Sequence, residues 1–430
     1  MSDRRRDGVE VEVAIVGGGL VGASLAIALE PLGLRVALIE GVAPQADSQP
    51  SFDDRTTALG NGTRRIFESL GVWPDMLPQA APIRRIHVSD AGRFGFARLA
   101  AADHDLEAFG YVITNRVIGG ALRARLAGVA GLELRMPERV GAVRPAGQGL
   151  ELALESGASL RAQLVVAADG ANSVVRAAAG LGAEIEDYGQ VAVVAHLRAS
   201  QPSDGTAYER FTPNGPIAVL PLADGALGLV WTLSPAEAAR VQALDDAACL
   251  AQLQQAIGWR VGRLLQIGRR NAYPLRLTRA ETLVAARTVL VGNAAQGLHP
   301  VAGQGFNLGL RDAVTLAEVL AEAQAAGRLV DCGAAELLEA YAQRRRADRD
   351  GVTRFTDGLV KLFGDRRTGI GAVRDLGLLL FDLSPTAKAA LSRISWGFAG
   401  RTPRLARGLR LGVGGAAGAA AGFGGPEREP

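Results

Sequence analysis

Only two cysteines, Cys249 and Cys332, occur in 430 residues, and they lie far apart. That excludes a disulfide framework, a CxxC redox pair and cysteine-based zinc spacing. A reducing compartment is expected. Four scattered histidines form no metal-ligand motif, so no metal site is expected. No run of 18 apolar residues exists, so no transmembrane helix is expected. The start, MSDRRRDG, leads into no apolar stretch of the signal-peptide kind, and a cytoplasmic location is expected. Lysine is nearly missing, with Lys361 and Lys388 as its two instances. The basic charge is therefore almost all arginine, a pattern of codon bias. Net charge is +3, with acids and bases mixed along the chain. Basic patches with interleaved aromatics are lacking, which argues against nucleic-acid binding.

Apolar residues make up 48% and charged residues 21%, an ordinary globular balance that excludes general disorder. The length suggests two or three domains at roughly 150 residues each. Glycine is abundant but has no three-residue period, which excludes collagen. Residues 10–16 alternate and are β-branched, predicting a strand. A Gly-rich turn and an Ala/Leu helix to about residue 32 follow, then a second strand over 34–40. This is a βαβ unit of near-minimal length. Weak strands are predicted over 83–89 and 94–98, and a buried strand over 160–168. Segments within 191–233, broken by Asn214-Gly215-Pro216 and Asp224-Gly225, suggest an antiparallel sheet. Residues 286–291 read as a short buried strand, and a long helix is predicted from about Gly309 to Ala325. The last 60 residues read as helical to about Ala399. A Gly/Ala tail over 412–425 reads as a frayed end.

Three motifs carry chemistry. The first is Gly17-x-Gly19-x-x-Gly22 between strand and helix. Its glycines permit a tight turn, close backbone approach to a pyrophosphate, and close helix–strand packing. The helix start offers free N–H groups and a positive dipole end to phosphate. Glu40 ends the second strand 23 residues after Gly17, where an acid can accept hydrogen bonds from a ribose. A similar string over 412–417 lacks a preceding strand and reads as composition noise, leaving one dinucleotide fold. The second motif is Asp169-Gly170 after a buried strand, which in isolation is a turn. The third is GNAAQGLHPVAGQGFNLGLRD over 292–312, a strand leading through a glycine-rich loop into a helix.

In this order and spacing, the motifs resemble the FAD-dependent aromatic hydroxylases, the single-component flavoprotein monooxygenases, over residues 10–365. Gly17, Gly19, Gly22 and Glu40 match the family's ADP-binding fingerprint. Asp169-Gly170 matches its second motif, near FAD and the nicotinamide path. Gly292-Asn293 matches the third, where the family usually has an Asp that contacts the ribityl chain. Asn293 can still hydrogen-bond a hydroxyl. The 292–312 string, Asp54-Arg55-Thr56-Thr57-Ala58-Leu59 and residues 356–363 resemble the branch that hydroxylates polyprenylated phenols on the way to ubiquinone. Within that branch they are most similar to hydroxylases of 2-polyprenyl-6-methoxyphenols. By the same resemblance Arg55 contacts the FAD phosphates or moves with the flavin. Asn115 and Arg116 fall at a further FAD contact, and one of the two is the match. Arg35, Arg64 and Arg65 read as solvated surface.

The resemblance implies an α/β fold: a Rossmann-like FAD-binding domain (8–75, 111–185 and 282–370), with an inserted mixed or antiparallel β-sheet substrate domain (76–110 and 186–281). A C-terminal helical segment and flexible tail (371–430) would complete it. It implies non-covalent FAD, NADPH or NADH as co-substrate, and O2. Reduced flavin would form a C4a-hydroperoxide that oxygenates an electron-rich ring in an apolar pocket. His299 and Pro300 are expected beside the flavin ring. There His299 would hydrogen-bond peroxide or substrate oxygen, or else stabilise its loop. Gly303, Gly305 and Asn307 are expected at the pyrimidine side. A polyprenylated phenol partitions into membrane, so peripheral contact at the inner membrane or a ubiquinone-biosynthesis complex is implied. Arg401, Arg404, Arg407 and Arg410, with Leu405, Leu409 and Leu411, would form an interfacial helix or a solvated tail. The alternatives are hydroxylation of another aromatic, or a non-catalytic flavin- or lipid-binding subunit. A halogenase lacks support, because no Trp-x-Trp-x-Ile-Pro string occurs.

Overall fold

The computed structural model describes residues 10–43, 53–91, 96–298, 304–364 and 402–411. The run Val11–Val16 forms the expected first strand, and helix Leu20–Leu29 carries the chain across to a parallel neighbour, Val36–Ile39. These strands are apolar nearly throughout because both faces of a parallel sheet are covered. Helix Leu20–Leu29 is correspondingly buried almost all round. Its backbone lies between the sheet and helices Gln304–Ala325 and Asn115–Leu126.

The strands of this first sheet run in the order Val284–Ala285, Thr288–Leu290, Ser159–Ala167, Val11–Val16, Val36–Ile39, Leu132–Arg135. Strands Gly149–Leu154 and Val140–Ala146 extend it as an antiparallel flap from Ser159–Ala167. A second sheet of nine strands joins Gln296–Gly297, Asn271–Ala280, Ala183–Ala199, Leu227–Leu233, Gly215–Pro221, Thr206–Thr212, Arg85–Asp90 and Phe96–Ala100, with Leu264–Ile267 beside Ala183–Ala199. All its pairings are antiparallel except Thr206–Thr212 with Arg85–Asp90. One face of it packs an apolar cluster of Val193, Leu197, Ile217, Leu229 and Trp231 against helices Pro235–Ala243 and Asp246–Ile257. A small sheet, Thr56–Gly60, Gly110–Thr114 and Ala81–Ile83, stands between the two large ones.

Two sequence expectations change here. The long helix begins at Gln304, five residues before the predicted start near Gly309. Gly305 and Gly309 both lie inside this helix. A side chain at 305 would meet open space, whereas one at 309 would meet the Gly292 Cα at 2.9 Å. Gly309 marks close packing, and neither glycine delays the helix.

The second change is at the C-terminus. Residues 402–411 form a single 3-10 turn, Leu405–Arg407, and not an interfacial helix or a solvated tail. Leu405, Ala406 and Leu411 are buried in the core of the first sheet, while Arg407, Leu409 and Arg410 stay outside. The Arg404 backbone N–H donates to Glu318 Oε2 (2.6 Å), and Ser69 Oγ donates to Leu405 O (3.2 Å). The predicted helix up to Ala399 and the tail beyond 411 lie outside the described residues. Two buried leucines are worth roughly 1.5–3 kcal/mol each, partly offset by the cost of ordering the segment. Truncation after Ala399 is therefore expected to lower stability by about 2 kcal/mol net. Thermal unfolding of the truncated and full chains checks this, and an unchanged midpoint would refute the docking.

Candidate functional site

The three sequence motifs sit side by side at one edge. Val16 pairs with Ala167, and Ala167 with Leu290, in parallel register. Each strand then ends in its motif: Gly17 after the first, Asp169 after the second, Gly292 after the third. The carboxyl edge of parallel strands is where such sheets bind ligands, because the loops and helix N-termini gather there.

At the first loop, Gly17 adopts φ +105°, and a Cβ there would lie 2.4 Å from Ala168 O. A Cβ at Gly22 would lie 1.9 Å from Gly17 O, so the helix can approach the strand only without one. Gly19 is the extended residue before the helix and has no side-chain cap, leaving the helix N-terminus to other partners. Glu40 is buried at the end of its strand. Its Oε2 accepts from Gly18 N–H (2.7 Å) and its Oε1 from Val42 N–H (2.9 Å). The carboxylate thus fixes the glycine turn and presents negative charge beside it.

At the second loop, Asp169 Oδ2 accepts from the N–H groups of Val174 (2.8 Å) and Val175 (3.3 Å). Asp169 Oδ1 is buried with no hydrogen-bond partner. Gly170 takes φ +86° in the turn. A residue whose role the sequence did not reveal ties this loop to the third. Arg176 is buried, donating through Nη1 to Ala294 O (2.9 Å) and through Nη2 to Ala171 O (2.7 Å).

The third loop is held from below by a second such residue. Asp312 Oδ2 accepts from Gly292 N–H (3.0 Å) and Gln296 Nε2 (2.6 Å), and its Oδ1 accepts from Arg345 Nε (2.7 Å). Arg345 also donates to Asp348, which Arg311 grips with two further bonds. All four side chains are buried. Burial alone would raise the Asp348 carboxyl, but Arg311 and Arg345 outweigh it and hold it below the ordinary range. Gly292 has φ +59°, and Asn293 next to it is exposed.

Arg55 precedes strand Thr56–Gly60, bonds Asp53, and lies over the Tyr273 ring at 4.8 Å. Tyr273 Oη donates to Asp53 Oδ2 (3.2 Å). Asn115 N–H donates to Arg55 O (2.8 Å), bringing the two predicted residues together. Between the paired candidates, Asn115 is buried and accepts from Thr57 Oγ1 (2.6 Å), while Arg116 faces outward and pairs with Asp54 (2.7 Å). Arg35 and Arg64 pair with Glu12 and Glu68 at the surface.

Asn307 has a structural task. It sits buried in the first turn of its helix, accepting from Thr63 Oγ1 (2.6 Å) and Gly60 N–H (3.1 Å) and donating to Ala58 O (2.9 Å). It clamps helix Gln304–Ala325 to the small sheet. Gly305 lies beside it in the same turn. His299, Pro300 and Gly303 lie outside the described residues.

The arrangement suits a dinucleotide cofactor with a hydroxyl-bearing chain. It offers a cradle that a Cβ would fill, an uncapped helix start, a fixed acid, and a buried acceptor at Asp169 without a donor. A family model described as FAD binding domain matches residues 10–356. Ubiquinone hydroxylase UbiL of Rhodospirillum rubrum is 38% identical over 410 residues, covering 93% of each chain. The 3-demethoxyubiquinol 3-hydroxylase of Escherichia coli is 34% identical over 372 residues, covering 86% of this chain and 94% of its own. The crystal structure of p-nitrophenol 4-monooxygenase PnpA from Pseudomonas putida superposes with a TM-score of 0.74. It is 20% identical, covers 91% of this chain and 98% of its own, and speaks for the fold alone.

Proposed function

This chain belongs to the FAD binding domain family, and from that premise we propose that it hydroxylates the aromatic ring of a polyprenylated phenol in ubiquinone biosynthesis. It is an FAD-dependent monooxygenase that uses NADPH or NADH and O2. The observation that carries the site is the meeting of three loops at one edge of the parallel strands.

The residues divide the work of binding. The Gly17–Gly22 turn and the helix start after Gly19 would hold the pyrophosphate, and Glu40 the ribose. Asp169 and the Gly292-Asn293 loop would meet the ribityl hydroxyls, with Arg55 near the phosphates. Arg116 presents the outward charge of its pair. Bound there, FAD would relay electrons from the nicotinamide to O2 and pass one oxygen atom of that O2 to the ring. The proposed division into a flavin-binding part (8–75, 111–185 and 282–370) and a substrate part (76–110 and 186–281) is supported by the two large sheets, with Gln296–Gly297 and the start of Ala183–Ala199 crossing it. His299 and Pro300 remain our proposal for the ring-side loop, with Gly303.

No helix among the described residues is long and apolar enough to cross a membrane. A polyprenylated substrate would then be met at the bilayer surface or received from a partner in a biosynthetic complex.

The test is anaerobic reduction of the FAD-loaded protein by NADPH, followed at the flavin absorbance, with and without a 2-prenylphenol. Bleaching that accelerates with the phenol, and a hydroxylated product after admitting air, are expected. Flavin that neither nicotinamide nucleotide reduces would overturn the catalytic reading in favour of a non-catalytic subunit.

A further inference from the structure

The face of the nine-stranded sheet turned away from its helices carries one residue that packing does not explain. Strand Thr206–Thr212 alternates. Tyr208 packs toward the helix-covered face, and Arg210 donates to Ala256 O at the end of helix Asp246–Ile257 (2.9 Å). Glu209 therefore points the other way, with Ala207. Ala207 packs with Phe109, Val112 and Ala58, which lie on or beside the small sheet. Along this face Glu209 lies in a straight cross-strand row with Val88, Ala218, Val230, Val194 and Asn271. Every member of the row keeps an intermediate exposure, so packing does not seal it. The row looks onto the flavin-side arm. A Cβ on Gly228 of the same face would touch Thr56, His196 Nε2 lies 3.0 Å from Asp54 O, and Tyr273 underlies Arg55.

A carboxyl is costly in such a row. Glutamate is a poor strand former, and an unpaired buried charge is strongly disfavoured. Among the described residues, no hydrogen bond or ion pair reaches the Glu209 side chain. Burial raises its carboxyl to about 7, and no charge among the described residues contributes. The titratable groups nearest on this face are Asp90, on the adjoining strand Arg85–Asp90, and His196, three strands away. The facing strands Thr56–Gly60 and Gly110–Thr114 bring Tyr111, which packs away against Trp73, and no charged side chain. An acceptor left without a donor in an open apolar row fits an aromatic ligand that brings its own O–H.

We propose that Glu209 is a catalytic residue that receives the phenolic hydroxyl of the substrate and takes its proton. This rests on the ring-hydroxylase reading above. The phenol O–H bond breaks, the proton moves to a Glu209 carboxylate oxygen, and the electron pair stays on the phenol oxygen. The ring is then more electron-rich toward the oxygen that the enzyme delivers. When the oxygenated ring loses its C–H proton to water and regains aromaticity, the proton on Glu209 returns to the phenol oxygen it came from. O2 and the nicotinamide supply the oxygen and the electrons, so the step needs no further reactant.

The experiment compares wild type and Glu209→Gln as FAD-loaded enzymes turning over a 2-prenylphenol between pH 5.5 and 9, at roughly the span a base of this kind requires. Wild-type hydroxylation is expected to rise with pH through about 7. Glu209→Gln should lose roughly 100-fold in kcat, the scale of general-base catalysis, and lose the rising limb. FAD content serves as the folding control. A variant within about twofold of wild type, with the same limb, overturns the proposal. If wild type hydroxylates no phenol, the functional reading fails instead. Binding of 2-prenyl-4-nitrophenol, titrated by its absorbance, then decides the role of Glu209. A Kd raised about tenfold or more in Glu209→Leu supports the proposal, and an unchanged Kd overturns it.

Discussion

Replacing Asp312 with alanine is expected to lower stability by about 3–5 kcal/mol and to strip the protein of FAD, because it breaks a buried ion pair from one side. Arg345 would keep Asp348, but Asp348 already neutralises Arg311, so one buried guanidinium charge is left over. The same substitution removes the acceptor for Gly292 N–H and Gln296 Nε2, the two bonds that fix the third loop. Stability and loop position can be separated. Asp312→Leu combined with Arg345→Met removes both charges. It should recover much of the lost stability, since apolar pairs often replace buried ion pairs without loss. It should not recover FAD, because the Gly292 loop stays unpinned. Urea denaturation and the flavin-to-protein absorbance ratio measure the two effects. Retention of FAD by Asp312→Ala, with less than about 1 kcal/mol lost, the range of a solvated pair, would show that the network does not support the site.

The contrast between Gly17 and Asp312 shows what the sequence could carry. Gly17, Gly19, Gly22 and Glu40 lie within one βαβ unit, and their spacing follows from strand and helix periods. Asp169 and Gly292 were legible because each follows a short buried strand, the signature of a parallel sheet edge. The Asp312–Arg345 pair spans 33 residues and two helices, Gln304–Ala325 and Ala335–Gly364, and helical periodicity within either one gives no sign of it. Arg176 bonds a loop 118 residues further along the chain. The docked segment 402–411 misled for a related reason. Arginines with intervening leucines have the same pattern whether the leucines meet lipid or the protein's own core, and only the tertiary fold decides. The flap Val140–Ala146 and Gly149–Leu154 also escaped notice, since short, half-exposed strands carry a weak alternation signal. Glu209 was invisible, because which face of a strand looks at a site is set by its neighbours.

Glu209 carries the other large expectation, an opposite one. Glu209→Gln should stabilise the protein, and should do so only above the acidic range. In the folded chain the carboxyl is raised to about 7 from an ordinary value of 4.5, so the fold favours its neutral form. Its contribution is fully present below about 4.5, where folded and unfolded chains both hold the proton. Between about 4.5 and 7 the unfolded chain releases the proton while the folded chain keeps it, so stability falls as pH rises. Above 7 both are ionised and the loss is constant, at about 3 kcal/mol from 1.36 kcal/mol per pKa unit. Glutamine cannot titrate, so the variant should match wild type near pH 4.5 and exceed it by up to that amount near pH 8. Urea denaturation of the FAD-loaded proteins at both pH values measures the difference, and equal stability at pH 8 would refute the raised, unpartnered carboxyl. A side chain kept for packing would lose stability when replaced. One that weakens the fold at neutral pH, and whose isosteric replacement also removes phenol turnover, belongs to the chemistry of the site.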